Sequence, residues 1–431
     1  MPGASFPLAL SLPGLCAKTG NRDAIGSEKS GMRLEKSWTI LGCAWLLAFA
    51  MYCPMFCIPP IVHILKDELH VTYADLGLLF SLPLTMLVVL AIPAGFFSDR
   101  LDAHRAAGIG AIVLAAGSLM RCFSKSFNLL LILTGVYGVG YSMVLPSLPK
   151  LVGLWFPREK VGLATGVYAT GISMGCTVPL AITLPLIFPL TRTIGGTFFL
   201  WSMPAVAAVV LWWVATRDSS LPSRPVNAPP LHGTTGRLRL PWRNRNLWLI
   251  ALLLFLDNAH FYTWSAWAPK LLTMKGAQPE LAAFIASVRG WASVPAMFLM
   301  PWASYKTGLR KPFIWGAGLV LVGASWSVLH ITVPLSWPLM VLVGCATSGT
   351  FPMILALPLE ILPTQSIGLI SGTILSIGYI GGFAGPWLAG YVVDSLGNFD
   401  VAFLFLLVMA ILWAFIGLLL PETGSRARQV S

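Results

Sequence analysis

The sequence predicts an all-α membrane protein, with twelve transmembrane helices in two pseudo-symmetric six-helix bundles. Three observations carry that prediction. The chain is 56% hydrophobic and only 10% charged, against roughly a quarter charged in soluble domains. Its apolar residues gather into about a dozen runs of 18 or more, the length that crosses roughly 30 Å of hydrocarbon. A polar interruption near the middle leaves six runs on either side.

The chain opens on MPGASFPLALSLPGLCAKTG. This short apolar stretch lacks the basic flank of a secretory signal. Residues 1–36 are therefore expected to form a disordered cytoplasmic extension. Met32 stands at the polar-to-apolar boundary and is an alternative start to Met1.

The N-terminal bundle, 37–216, takes its runs at 38–62, 74–97, 106–123, 128–149, 161–188 and 196–216. Tyr52 lies mid-way along the first. The second, YADLGLLFSLPLTMLVVLAIPAG, contains no cation. Prolines and a lysine interrupt the ends of the fourth and fifth. Residues 217–247 form the longest polar interruption and hold six arginines between Arg217 and Arg245. That composition suits a cytoplasmic linker beside anionic headgroups.

The C-terminal bundle, 248–420, follows with runs at 248–269, 280–302, 312–330, 334–358, 366–392 and 400–420; residues 421–431 form a cytoplasmic tail. In the eleventh run, the glycines of GYIGGFAGPWLAG permit close packing, and Pro386 localises a bend. Seventeen tryptophans and nine tyrosines suit anchors at the two membrane interfaces.

The net charge of +12 is explained by topology. With the N-terminus inside, 21 of the 28 Lys and Arg fall in cytoplasmic segments. Six (Lys66, Arg121, Lys125, Arg192, Lys270 and Lys275) fall on the other face, and Arg289 lies within a run. This positive-inside pattern places both termini in the cytoplasm of a multi-pass cell-membrane protein. It removes the reason to read the basic charge as a nucleic-acid surface. The seven cysteines form no CxxC pair. Cys53 and Cys57 share a helical face as small packing residues, and no histidine or carboxylate cluster points to a metal. The sequence shows no P-loop, nucleotide fingerprint or catalytic triad. The expectation is a carrier without cofactor, driven by an ion gradient, and not an enzyme.

Arg289 is the most informative residue. A guanidinium in mid-bilayer is costly and faces a protein interior or a water-filled path, where its planar fork suits an oxyanion. Span seven, ALLLFLDNAHFYTWSAWAPK, supplies Asp257, Asn258, His260 and Tyr262. Asp257 and His260, three apart, are expected on one face as proton-coupling residues. Asp257 has a competing reading as the static ion-pair partner of Arg289. Tyr52, Tyr168, Thr347, Thr350 and Tyr379 are further hydrogen-bond donors for the anion.

The turn GFFSDRLDAHRA, 95–106, aligns with PWASYKTGLRKP, 301–312, at the equivalent place in the second half. Gly95, Asp99, Arg100 and Arg105 match the loop signature of the major facilitator superfamily, which the chain resembles over residues 38–420. The PETG at 421–424 matches a common ending of that group. The resemblance implies gating roles for Asp99, Arg100 and Arg105, and for Lys306 and Arg310 in the second turn. Thr134 stands where many proton-driven exporters carry an arginine, and Cys176 where their fifth-span motif carries proline. Uptake is favoured over export accordingly. Segment 148–175 resembles the cyanate and nitroimidazole permease group. It is also similar to nitrate–nitrite porters, whose second arginine span two lacks, and to oxalate or monocarboxylate carriers. The resulting expectation is a monomeric transporter among membrane lipids, taking up a small organic or inorganic anion with protons by alternating access. An exporter of a neutral or lipophilic compound and a non-transporting membrane sensor are the alternatives.

Overall fold

The computed structural model describes residues 36–100, 103–156, 158–217, 242–330, 332–362 and 367–424. The extension at 1–35 and most of the 217–247 linker lie outside them. Twelve long helices follow in order. The first six are α1 Lys36–Leu69, α2 Tyr73–Arg100, α3 Ala103–Met120, α4 Phe127–Trp155, α5 Arg158–Ile182 and α6 Ile194–Ala215. The second six are α7 Arg245–Met274, α8 Pro279–Thr307, α9 Lys311–Ser327, α10 Val333–Ile361, α11 Ile367–Leu396 and α12 Phe399–Leu419. Eleven are long and apolar enough to span a membrane. The twelfth, α11, has 30 residues, about 45 Å of helix.

Several helices outrun their predicted ends: α4 continues to Trp155 and α8 to Thr307. Prolines stand inside both, since neighbouring helices and side chains can satisfy the backbone groups they free.

The packing repeats between halves. α1 contacts α5 as α7 contacts α11. The pairs α2–α4, α3–α4 and α3–α6 recur as α8–α10, α9–α10 and α9–α12. The two most extensive contacts joining the halves, α2–α11 and α5–α8, exchange under the same operation. Call the end carrying the α2–α3 and α8–α9 turns the terminal face, and the opposite end the distal face.

The distal face is tightly joined. Asp394, near the end of α11, accepts the backbone N–H of Tyr73 at 3.0 Å and of Ala74 at 2.7 Å. A carboxylate at a helix N-terminus satisfies orphan donors and the helix dipole together. Here the carboxylate comes from the opposite half.

α1 is broken by Pro54 and the pair Pro59–Pro60. At the first break the ladder tightens: Met55 N–H bonds to Tyr52 O and Ile58 N–H to Met55 O. The carbonyls of Met51 and Pro54 drop out of the backbone ladder, and the second receives only the Cys57 thiol from its own helix, at 3.4 Å. Tyr137 donates its hydroxyl to the first, and Arg121 donates Nη1 to the second at 2.7 Å. Arg121, counted by the sequence on the distal face, is buried there and repairs a broken helix.

On the terminal face, Glu422 of the PETG segment caps α9. It accepts the backbone N–H of Arg310 at 2.7 Å and of Lys311.

Candidate functional site

A cavity of about 540 Å³ lies between the halves. Residues of α1, α2, α4, α5, α7, α8, α10 and α11 line it. Its walls run toward the terminal face, reaching Pro149 on α4, Thr165 on α5, Leu355 on α10 and Gly372 on α11.

Two close contacts fix the part of α8 that carries Arg289. A Cβ at Gly290 would collide with Thr177 of α5, and one at Gly344 of α10 would collide with the Arg289 carbonyl. α8 is thus pressed between a helix of the other half and one of its own. Arg289 sits ten residues into α8, about 15 Å from its distal end, and is 2% exposed. Its Cζ lies 4.4 Å from the centroid of the Phe261 ring, a cation–π contact. Nη2 donates to the Ser265 hydroxyl. Nη1 is buried without a hydrogen-bond partner.

α7 presents the complementary face. Asp257, Phe261 and Ser265 recur at i, i+4 and i+8, one stripe of a helix. Asp257 is 2% exposed, and its Oδ1 has no hydrogen-bond partner. Among the described residues it makes no ion pair with Arg289. The only described charged side chains lining the cavity are thus one cation and one carboxylate, neither neutralising the other through direct contact. A buried charge is costly without partners, so such a chamber favours cargo or protons that supply them.

The Major Facilitator Superfamily model matches residues 44–386, and again 271–431. The chain belongs to the Major Facilitator Superfamily. It is a multi-pass plasma-membrane protein, a secondary-active transporter of small solutes and not an enzyme. It is 24% identical over 391 residues to the Uncharacterized transporter YycB of Bacillus subtilis (strain 168), covering 88% of this chain and 92% of that one. It is 25% identical over 366 residues to the 2-nitroimidazole transporter of Escherichia coli (strain K12), covering 83% and 89%. The crystal structure of a D-xylose-proton symporter superposes with a TM-score of 0.72 at 14% identity, over 90% of this chain and 98% of that one.

In this superfamily transporter, Arg289, Asp257, Asn258, Tyr262, Tyr52, Tyr168, Thr347 and Tyr379 all line the one cavity. Two expected site residues do not. His260 is fully buried toward α12, with Nδ1 2.9 Å from Leu256 O and Nε2 3.1 Å from Leu406 O. Three residues rotate the helix about 60° to one side, and four only about 40° to the other. The cavity edge falls on that difference, so Asp257 faces the chamber with Phe261 while His260 does not. Thr350 also lies outside the lining, and its hydroxyl donates to Ala346 O. Thr347 does line the cavity, but its hydroxyl hydrogen is spent on Val343 O at 2.8 Å. The Asn258 amide likewise donates to Leu254 O.

Sequence reasoning missed Phe261 and Ser265, the two residues that seat the guanidinium. Their spacings of four and eight residues from Asp257 were the available clue. It missed also Ser293 and Ser348, whose hydroxyls join α8 to α10 across 2.8 Å within the lining.

Of the gating candidates, the side chains of Asp99 and Arg100 lie outside the described residues. Arg105 is exposed. Lys306 lies 5.1 Å from the Trp302 ring centroid. Arg310 pairs with Glu360 of α10 at 3.0 Å, a contact within its own half.

Proposed function

We propose that this transporter takes up a small anion together with one or more protons by alternating access. Arg289 supplies the anion contact and Asp257 the proton site. The observation that supports this reading best is the unpartnered Arg289 nitrogen, buried in the same chamber as an unpaired carboxylate. Protonation of Asp257 when the anion binds leaves the loaded chamber without surplus charge. His260, committed to two carbonyls outside the chamber, serves this reading less well than Asp257.

The positive-inside distribution supports placing the terminal face, and with it both termini, in the cytoplasm. A cavity extending toward that face then belongs to an inward-facing state, held by the Asp394 cap on the distal side. The two six-helix halves, 37–216 and 248–420, rock about the chamber, with 217–247 as their cytoplasmic tether. The polar turns carrying Asp99, Arg100, Arg105, Lys306 and Arg310 gate the terminal side, and the unit is a monomer.

Export of a neutral, lipophilic cargo is the second reading. The apolar walls and the relative named for 2-nitroimidazole favour it. Proteoliposomes discriminate the two. An inward-acid proton gradient and an outward-acid one are imposed in turn, with uptake of small anions and of 2-nitroimidazole measured in each. Anion accumulation driven by outside acid, lost in Arg289→Ala, supports the first reading. Movement of neutral cargo alone overturns it.

A further inference from the structure

We propose that the cargo is an organic monoanion whose charged group is joined to a planar, apolar body, with aromatic monocarboxylates as the chemical class. This rests on the anion reading above and narrows it.

The charge count sets the valence. Among the described residues lining the cavity, Arg289 is the only cation, and Asp257 stands in the same chamber. A dianion would bring two negative charges to one guanidinium beside a carboxylate, leaving buried charge unpaired. A monoanion matches Arg289, and Asp257 remains for a proton.

The donor set determines how that single charge is held. Ser265 occupies Nη2, and Phe261 covers one face of the guanidinium. Nη1 is left to donate to one oxygen of the cargo. A charge-assisted bond of that kind orients a carboxylate at one end of the chamber.

The rest of the chamber determines the body. A three-atom inorganic anion would leave most of the 540 Å³ to water. Pockets of about 300–1,000 Å³ ordinarily bury most of a larger organic ligand. Successive turns of α8 toward the terminal face bring Ser293 and then Met297 to the lining, roughly 6 and 12 Å beyond Arg289. Leu145, Ile172, Phe351 and Leu375 line the same chamber. A cargo anchored at Arg289 therefore extends its body into apolar walls. The rings of Tyr52, Tyr168, Tyr262 and Tyr379 also line the chamber, and flat side chains of this kind pack well on a planar ligand. The arrangement has the polarity of an amphipathic acid: head at a single buried cation, body among rings and aliphatic groups.

The test uses the purified full-length protein and seven probes: benzoate, 4-hydroxybenzoate, acetate, nitrate, cyanate, succinate and neutral benzamide. Binding is read as ligand-induced thermal stabilisation and as counterflow in proteoliposomes, with protein-free liposomes as blanks. Benzoate and 4-hydroxybenzoate are expected to bind at least tenfold more tightly than acetate, nitrate, cyanate, succinate or benzamide. Arg289→Lys, verified as monodisperse, should weaken the aromatic acids at least tenfold. If nitrate, cyanate, acetate or succinate binds as tightly as benzoate, the aromatic-monoanion class is overturned while the anion reading stands. If benzamide matches benzoate, or if no anion binds, both fall.

Discussion

Two buried arginines face different problems in this molecule. Arg121 and Arg289 are 1% and 2% exposed. Each lies over a phenylalanine ring, at 4.3 Å from Phe198 and 4.4 Å from Phe261. Arg121 gives Nη1 to the Pro54 carbonyl that the break in α1 releases. Arg289 gives one nitrogen to a serine hydroxyl and lines a chamber between the halves. Burial, cation–π contact and unpartnered nitrogens (Nε and Nη2 of Arg121, Nη1 of Arg289) are therefore common to a strut and a site. What separates them is the partner, a backbone carbonyl orphaned by proline against a chamber built to hold something else.

Exchanging either arginine for alanine should break this comparison most visibly. Arg289→Ala should remain monodisperse and lose benzoate binding about ten- to hundredfold or more, the weight of a charge-assisted hydrogen bond of about 1.5–3 kcal/mol. Arg121→Ala should instead destabilise the fold by about 1–3 kcal/mol, because the buried Pro54 carbonyl loses its charged donor and keeps only the weak Cys57 thiol. Size-exclusion profiles and thermal unfolding in detergent check the second effect. Equal loss of stability in both variants would make Arg289 another strut.

The distal clamp offers a smaller effect. Asp394→Ala removes the carboxylate that caps α2 from the other half, a cap of about 0.5–2 kcal/mol. A cysteine at Ser293, which lines the cavity, should then react severalfold faster from the distal side as the opposite state gains population. An unchanged rate would remove Asp394 from the gate.

Arg289 and Asp257 can be tested against each other without any cargo. Their single neutralisations and the double neutralisation should alter thermal stability additively, within about 0.5 kcal/mol. Rescue in the double variant would reveal a direct ion pair that the structure does not contain. The smallest effect belongs to His260→Gln. It should leave proton-driven uptake within about twofold of wild type, while lowering stability through the lost bond to Leu256 O or Leu406 O.

Much of the architecture was legible in the sequence because lipid imposes a simple length rule on apolar runs. The buried arginine was equally plain. The site was legible in part. Residue types marked Arg289 and Asp257, but a three-residue spacing could not tell which side of the chamber edge His260 would take. Thr350 was misplaced for a related reason: a membrane threonine often spends its hydroxyl on its own helix, as Thr350 does on Ala346 O. Arg121 was invisible as a strut because its need arises only where Pro54 breaks α1, far away in sequence.

The most direct test of the division of labour is Asp257→Asn, measured for counterflow and for uptake driven by outside acid in the same proteoliposomes, with radiolabelled 4-hydroxybenzoate as probe. Retained counterflow with loss of gradient-driven accumulation is the expected result, since Arg289 still holds the anion while the proton site is gone. Wild-type accumulation by Asp257→Asn would contradict the account.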